Sequence, residues 1–113
     1  MDKLERYRNL VKQQINRYVD SFSEGAAAPV QEVAVFDDER GHYQWLTLGW
    51  ENGQRAFYTN LYVRLQDGKI WIEKDSTEDG IANELLREGV PHGDIVLAFH
   101  APNVRNYTDF AAA

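Results

Sequence analysis

The sequence predicts an α+β fold: an N-terminal amphipathic helix, a four-stranded antiparallel meander, a second helix and a short C-terminal strand or turn. Three observations predict it. Apolar residues recur at helical spacing through residues 4–22, and from Val30 onward the period changes to two. Asn52-Gly53 and Asp67-Gly68, dipeptides that close tight hairpins, stand between the alternating runs. A length of 113 residues places all of this in one domain, residues 1–113, long enough to bury a core without staples.

Each element has its own local reason. Asp2 with Glu5 three residues later has the form of a helix N-cap, and Leu4, Tyr7, Val11, Ile15, Tyr18, Val19 and Phe22 then form one stripe. The helix runs for about five to six turns. Ser23-Glu24-Gly25 supplies its glycine stop, and residues 26–29 connect it to the first strand. Residues 30–36, 43–50, 56–66 and 69–75 read as strands rich in β-branched and aromatic side chains. The links between them are too short for crossovers, so neighbours run antiparallel. Ser76 with Asp79 repeats the capping pattern ahead of a stripe of Ile81, Ala82, Leu85 and Leu86, and Gly89 ends that second helix. Residues 95–99 are a short apolar run that periodicity leaves open between a fifth strand and a buried turn. The tail from Tyr107 is aromatic enough to dock on the body.

Composition narrows function. With 43% hydrophobic and 27% charged residues the chain belongs to folded domains, and zero cysteines exclude disulfides, thiolate metal sites and thiol nucleophiles. The net charge of -6 opposes general binding to a phosphate backbone. No run approaches the roughly 18 apolar residues of a membrane span, and the charged start has no signal-peptide core behind it, so the expected location is the cytoplasm. Charge is also unevenly placed. Residues 1–22 hold Lys3, Arg6, Arg8, Lys12 and Arg17 against three acids, a basic arm on an acidic body. Such an arm is a solvated helix face, a self-complementary contact or a dock for an acidic partner.

Splitting each strand by alternation gives two sets. Val33, Val35, Leu46, Leu48, Trp50, Phe57, Leu61, Val63, Leu65, Ile70 and Ile72 read as the face beneath the helices. The other set collects Phe36, Tyr43, Trp45, Tyr58, Tyr62 and Trp71 among Asn60, Arg64, Lys69 and Glu73. An open sheet face is normally polar, and this one is aromatic. The C-terminal segment with Phe99, Tyr107 and Phe110 covers it, or a partner protein does, or bases stack on it.

Candidate chemistry is thin. Asp37 or Asp38 with Asp67-Gly68-Lys69 has the residue types of a metal-dependent nuclease, but a hairpin turn and a loop account for the same residues. His42, His92 and His100 lack chelate spacing, and no phosphate-cradling or nucleophile-elbow motif is present. The reading is of a protein with no catalytic residue, metal or cofactor of its own.

Longer strings carry a resemblance. Phe36-Asp37-Asp38-Glu39-Arg40-Gly41-His42-Tyr43-Gln44, Asp67-Gly68-Lys69-Ile70-Trp71-Ile72-Glu73-Lys74-Asp75, Thr77-Glu78-Asp79-Gly80-Ile81-Ala82, Gly89-Val90-Pro91 and Asp94-Ile95-Val96-Leu97-Ala98-Phe99-His100 occur in that order. Together with the tail, they resemble the XisI family of cyanobacterial proteins, the fdxN element excision controlling factors, over practically the whole chain. The resemblance implies a role in site-specific DNA excision beside a separate recombinase and a second factor, XisH, whose fold looks nuclease-like. It brings no catalytic residues. The expected function is therefore that of a non-enzymatic accessory factor. It would bind an XisH-like protein or a second copy of itself through Tyr43, Trp45, Tyr58, Tyr62, Arg64 and Trp71, reaching the recombinase only indirectly. An antitoxin-like role, covering a nuclease-like partner, fits the same surface. Direct DNA binding along Arg6, Arg8, Lys12 and Arg17 is a rival from another class.

Overall fold

The computed structural model describes residues 2–23 and 29–113. Helix α1 (Lys3–Ser23) begins where the sequence places it, with the Asp2 carboxylate accepting the Glu5 backbone N–H at 2.7 Å. The glycine stop and most of the link to the sheet fall in residues 24–28, outside the described residues. Four strands come next: β1 (Val30–Asp37), β2 (His42–Glu51), β3 (Gln54–Gln66) and β4 (Lys69–Asp75), each antiparallel to the last. Asn52 and Asp67 have φ near +55°, and the glycine after each is also at positive φ, the backbone of the tight hairpins that the two dipeptides predict.

The sheet has five strands rather than four. Helix α2 (Ile81–Arg87) carries the chain back over the sheet, and β5 (Ile95–Leu97) pairs parallel to β4, Ile70 facing Ile95. A chain leaving β4 by a helical crossover returns in the same direction, which is why the apolar run becomes a parallel edge strand. The strand order is β1-β2-β3-β4-β5. A short helix, α3 (Pro102–Arg105), succeeds it, and Ala111 donates its N–H to the Ile95 carbonyl at 2.9 Å, fastening the tail beside β5.

The start of α2 differs from expectation in its cap. Ser76 plays no part. Asp75, the last residue of β4, accepts N–H bonds from Thr77 at 2.8 Å and Ile81 at 2.7 Å, so one carboxylate joins strand, loop and helix. At the other end Gly89 and Val90 donate back to Leu86 and Leu85, each at 3.0 Å. This double closure places Val90 against Leu85 in the core.

One core lies between the helices and a single face of the sheet. Tyr7, Val11 and Ile15 of α1 and Ile81 and Leu85 of α2 meet Leu61, Val63, Ile70, Ile72 and Ile95. Here the expected face assignment needs correction. Tyr43 and Trp45 are 0% and 4% exposed beneath α1, with Phe36 packed alongside, whereas Val35, Trp50 and Phe57 are exposed on the opposite side. The cause is register. Tyr43 pairs with Val63 and Trp45 with Leu61, so the aromatic set of β2 and the aliphatic set of β3 share a face. Beyond that point β3 bulges: Leu61 opposes Trp45 while Thr59 opposes Leu46, leaving Asn60 as the extra residue. A bulge reverses parity, so Tyr58 and Tyr62, four apart, lie on opposite faces.

Gly41 fixes the β1–β2 turn against β3. Its φ is +76°, and a side chain there would sit 2.7 Å from the Leu65 carbonyl oxygen, which belongs to the residue whose N–H bonds to Gly41 at 2.9 Å.

Candidate protein-interaction surface

Four of the five cations of the basic arm are engaged within the molecule, Arg8 facing Asp38 at 3.8 Å. Lys3 reaches Asp94 at 3.0 Å, the Tyr7 hydroxyl donates to the same carboxylate, and Arg6 donates to the Glu88 carbonyl at the end of α2 at 2.8 Å. Lys12 pairs with Asp38 at 2.9 Å, where the Tyr43 hydroxyl also donates, at 3.1 Å. Burial, with the Asp94 charge beside it, pushes the Tyr7 hydroxyl up to about 12. Partial burial pulls Asp94 upward, but the Tyr7 hydrogen bond and the Lys3 ammonium outweigh it and hold the carboxyl below its ordinary value. The Lys12 hydrogen bond holds Asp38 low as well. Asp37 accepts the Arg40 backbone N–H at 2.9 Å, which lowers it in turn. Asp37 and Asp38 are thus engaged as a cap and an ion pair, and Asp67 sits in the β3–β4 hairpin turn. Among the described residues no three histidine, aspartate or glutamate side chains gather as a metal site requires.

The remaining sheet face has two unlike halves. In the half formed by β3 and β4, the Trp71 indole N–H donates to the Gln66 carbonyl at 3.0 Å, with Arg64 and Arg105 over the ring at 5.3 and 5.8 Å. Arg64 also pairs with Glu73 at 2.8 Å, and Tyr62 bonds His42 at 2.8 Å. The C-terminal segment reaches this half through Arg105, anchored by the His100 and Ala98 carbonyls, whereas Phe110 packs against the core and Phe99 and Tyr107 stay exposed.

The other half is bare. Strand β3 has 13 residues against seven in β4 and pairs with it only from Leu61, so the tip of the β2–β3 hairpin runs on past β4 with β1 alone beside it. A radius of gyration of 14.9 Å, against roughly 13 Å for a domain of this length, reflects that extension. Trp50 and Phe57 are 58% and 64% exposed there, with Arg55 over both rings at about 5.5 Å. Tyr58, 51% exposed, stands on the opposite side of the tip. Val35 on β1, paired with Gln44 toward the root, is exposed on the same face as Trp50 and Phe57.

Of the six residues that the sequence singled out, Tyr58, Tyr62, Arg64 and Trp71 are accessible at least in part, and Tyr43 and Trp45 are sealed under α1. Sequence reasoning missed Trp50 and Phe57 as surface residues, counting them as core. The signal that marks them is their place on either side of Asn52-Gly53, a hairpin end.

Comparison with known proteins places this geometry. A family model described as XisI protein matches residues 1–112. The chain belongs to the XisI family. The crystal structure of a XisI-like protein from Anabaena variabilis ATCC 29413 superposes with a TM-score of 0.91 at 36% identity, covering 97% of this chain and 99% of that one. The fdxN element excision controlling factor XisI from the same organism gives a TM-score of 0.87 at 40% identity, over 99% and 100%. Among curated proteins none matches. The family's helix-on-sheet architecture is therefore the one described above. Among the described residues no helix is long and apolar enough to cross a membrane.

Proposed function

We propose that this protein is a non-enzymatic accessory factor that controls excision of a DNA element by holding another protein. Its kinship with an fdxN element excision controlling factor supplies the process. The observation that carries the mode of action is the bare hairpin tip: Trp50 and Phe57 standing in solvent beside Arg55 on one side, and Tyr58 on the other. Aromatic rings and arginine supply large contact area at low entropic cost, which is why they dominate binding hot spots. Tyr62, Arg64 and Trp71 extend the surface along the face. Of the α1 cations that a DNA-binding reading needs, Arg8 and Lys12 face Asp38 and Arg6 donates to the Glu88 carbonyl, and the net charge is -6.

The partner is an XisH-like protein or a second copy of this chain, with the recombinase reached indirectly. Co-expression with an XisH-like protein, followed by size-exclusion chromatography with mass detection, tests this. A stable complex or a homo-oligomer is expected, and Trp50→Ala with Phe57→Ala disperses it. A monomer that ignores the XisH-like protein overturns the reading.

A further inference from the structure

On the helix side, away from the bare face, a groove of about 460 Å³ lies between the end of α1, the sheet and the loop from β4 to α2. That volume falls within the roughly 300–1,000 Å³ of small-molecule sites. One wall is aromatic: Tyr18, stacked at 5.4 Å and 5° on the buried Trp45 at the groove floor, and Phe22, tilted against the same ring at 4.9 Å. The facing wall carries the carboxylates of Glu78, Asp79 and Glu84, with the small polar side chains of Asn60, Ser76 and Thr77 between. Among the described residues no lysine, arginine or histidine lines it. Arg87 pairs with Asp79 at 2.9 Å and with Glu84, one guanidinium against three carboxylates. Burial raises the pKa of the Tyr18 hydroxyl, a hydrogen bond with Thr77 lowers it, and the charges of Asp75, Glu84 and Asp79 add to the rise.

Ring faces and carboxylates are both negative, so the groove favours positive charge. A bare divalent ion is a poor match, because hard cations take several oxygens at about 2–2.6 Å and would gain little from three rings. Weakly hydrated cations on aliphatic stems satisfy both walls. We propose that this groove binds an organic cation, an alkylguanidinium or alkylammonium group whose head meets the carboxylates while its stem lies on the rings. The same chemistry is offered by a free small molecule and by an arginine or lysine side chain of another protein.

Butylguanidinium titrated into the whole protein tests it, read on the three indole N–H resonances by NMR. The Trp45 signal should shift saturably while those of Trp50 and Trp71 stay put. Butylurea, of the same shape without the charge, should leave all three unmoved. Glu78→Gln with Glu84→Gln should weaken binding at least about fivefold. Ser76→Phe, at an exposed position on the groove rim, should block it with the melting temperature unchanged. A blocked Gly-Gly-Arg-Gly-Gly peptide that binds at least as tightly assigns the cation to a protein side chain. A peptide excluded while butylguanidinium binds assigns it to a small molecule. No Trp45 shift with either probe, an equal shift with butylurea, or binding indifferent to both variants overturns the proposal.

Discussion

The two ends of the β2–β3 hairpin are built from the same kinds of side chain and meet opposite fates. At its root Tyr43 pairs with Val63 and Trp45 with Leu61, and α1 lies over them, so both rings are buried. At its tip Trp50 pairs with Arg55 and Leu48 with Phe57, and the rings of Trp50 and Phe57 stand in water. An aromatic residue on a strand carries the means for either role. What decides is whether another element of the chain reaches over it. Helix α1 lies on the face that Tyr43 and Trp45 share, whereas Trp50 and Phe57 point from the opposite face, which α1 does not reach.

The largest effect expected from this contrast is at the root. Tyr43→Ala or Trp45→Ala removes a filled core position and should cost about 3–5 kcal/mol, seen as a large fall in thermal midpoint or outright failure to fold. Trp50→Ala with Phe57→Ala should instead leave the midpoint nearly unmoved and weaken association by more than about 2 kcal/mol in sedimentation. Equal stability losses at root and tip would erase the distinction. Tyr62→Ala with Trp71→Ala probes the intermediate region by the same assay; association untouched by that pair would confine the interface to the tip.

Next in size is Gly41→Ala. A side chain at positive φ beside the Leu65 carbonyl should destabilise by about 1–3 kcal/mol, measured by denaturant unfolding. A neutral result would mean that the β1–β2 turn relaxes freely. The pH dependence of stability comes next, at both extremes. Tyr7 is raised to about 12 in the folded state, so above pH 10 the unfolded chain sheds a proton that the folded chain keeps, and stability falls as pH climbs toward 12. Tyr7→Phe should remove that part of the fall. Asp94 and Asp38 are held low when folded, so their contribution is present above the ordinary carboxylate range and is lost as pH drops through their depressed values. Asp94→Asn should flatten the acid limb measured by thermal melts. The smallest effect belongs to Lys12→Ala, an exposed pair with Asp38, at about 0–1 kcal/mol.

Much of this fold is written locally. The Asp2 cap, the α1 stripe, the two Asn/Asp-Gly turns and the Gly89 stop depend on residues a few positions apart, and each is found in place. The interaction surface is less legible. Alternation gives two sets of side chains per strand, but it does not say which set of β2 shares a face with which set of β3. A period of two carries no mark of a one-residue bulge such as the one at Asn60. Alternation alone therefore puts Trp50 and Phe57 in the core, and Tyr43 and Trp45 on the surface.

By itself, the sequence determined what short-range chemistry can determine: which segments coil, which extend, where the chain turns, and that it belongs among XisI-like proteins. Tertiary structure alone decided that β5 joins the sheet in parallel, that Asp75 rather than Ser76 caps α2, and which rings meet solvent. Local elements arise from hydrogen bonds and side-chain spacing within one stretch of chain. A face of a sheet becomes inside or outside only when distant segments settle their register and a helix lies down on one side.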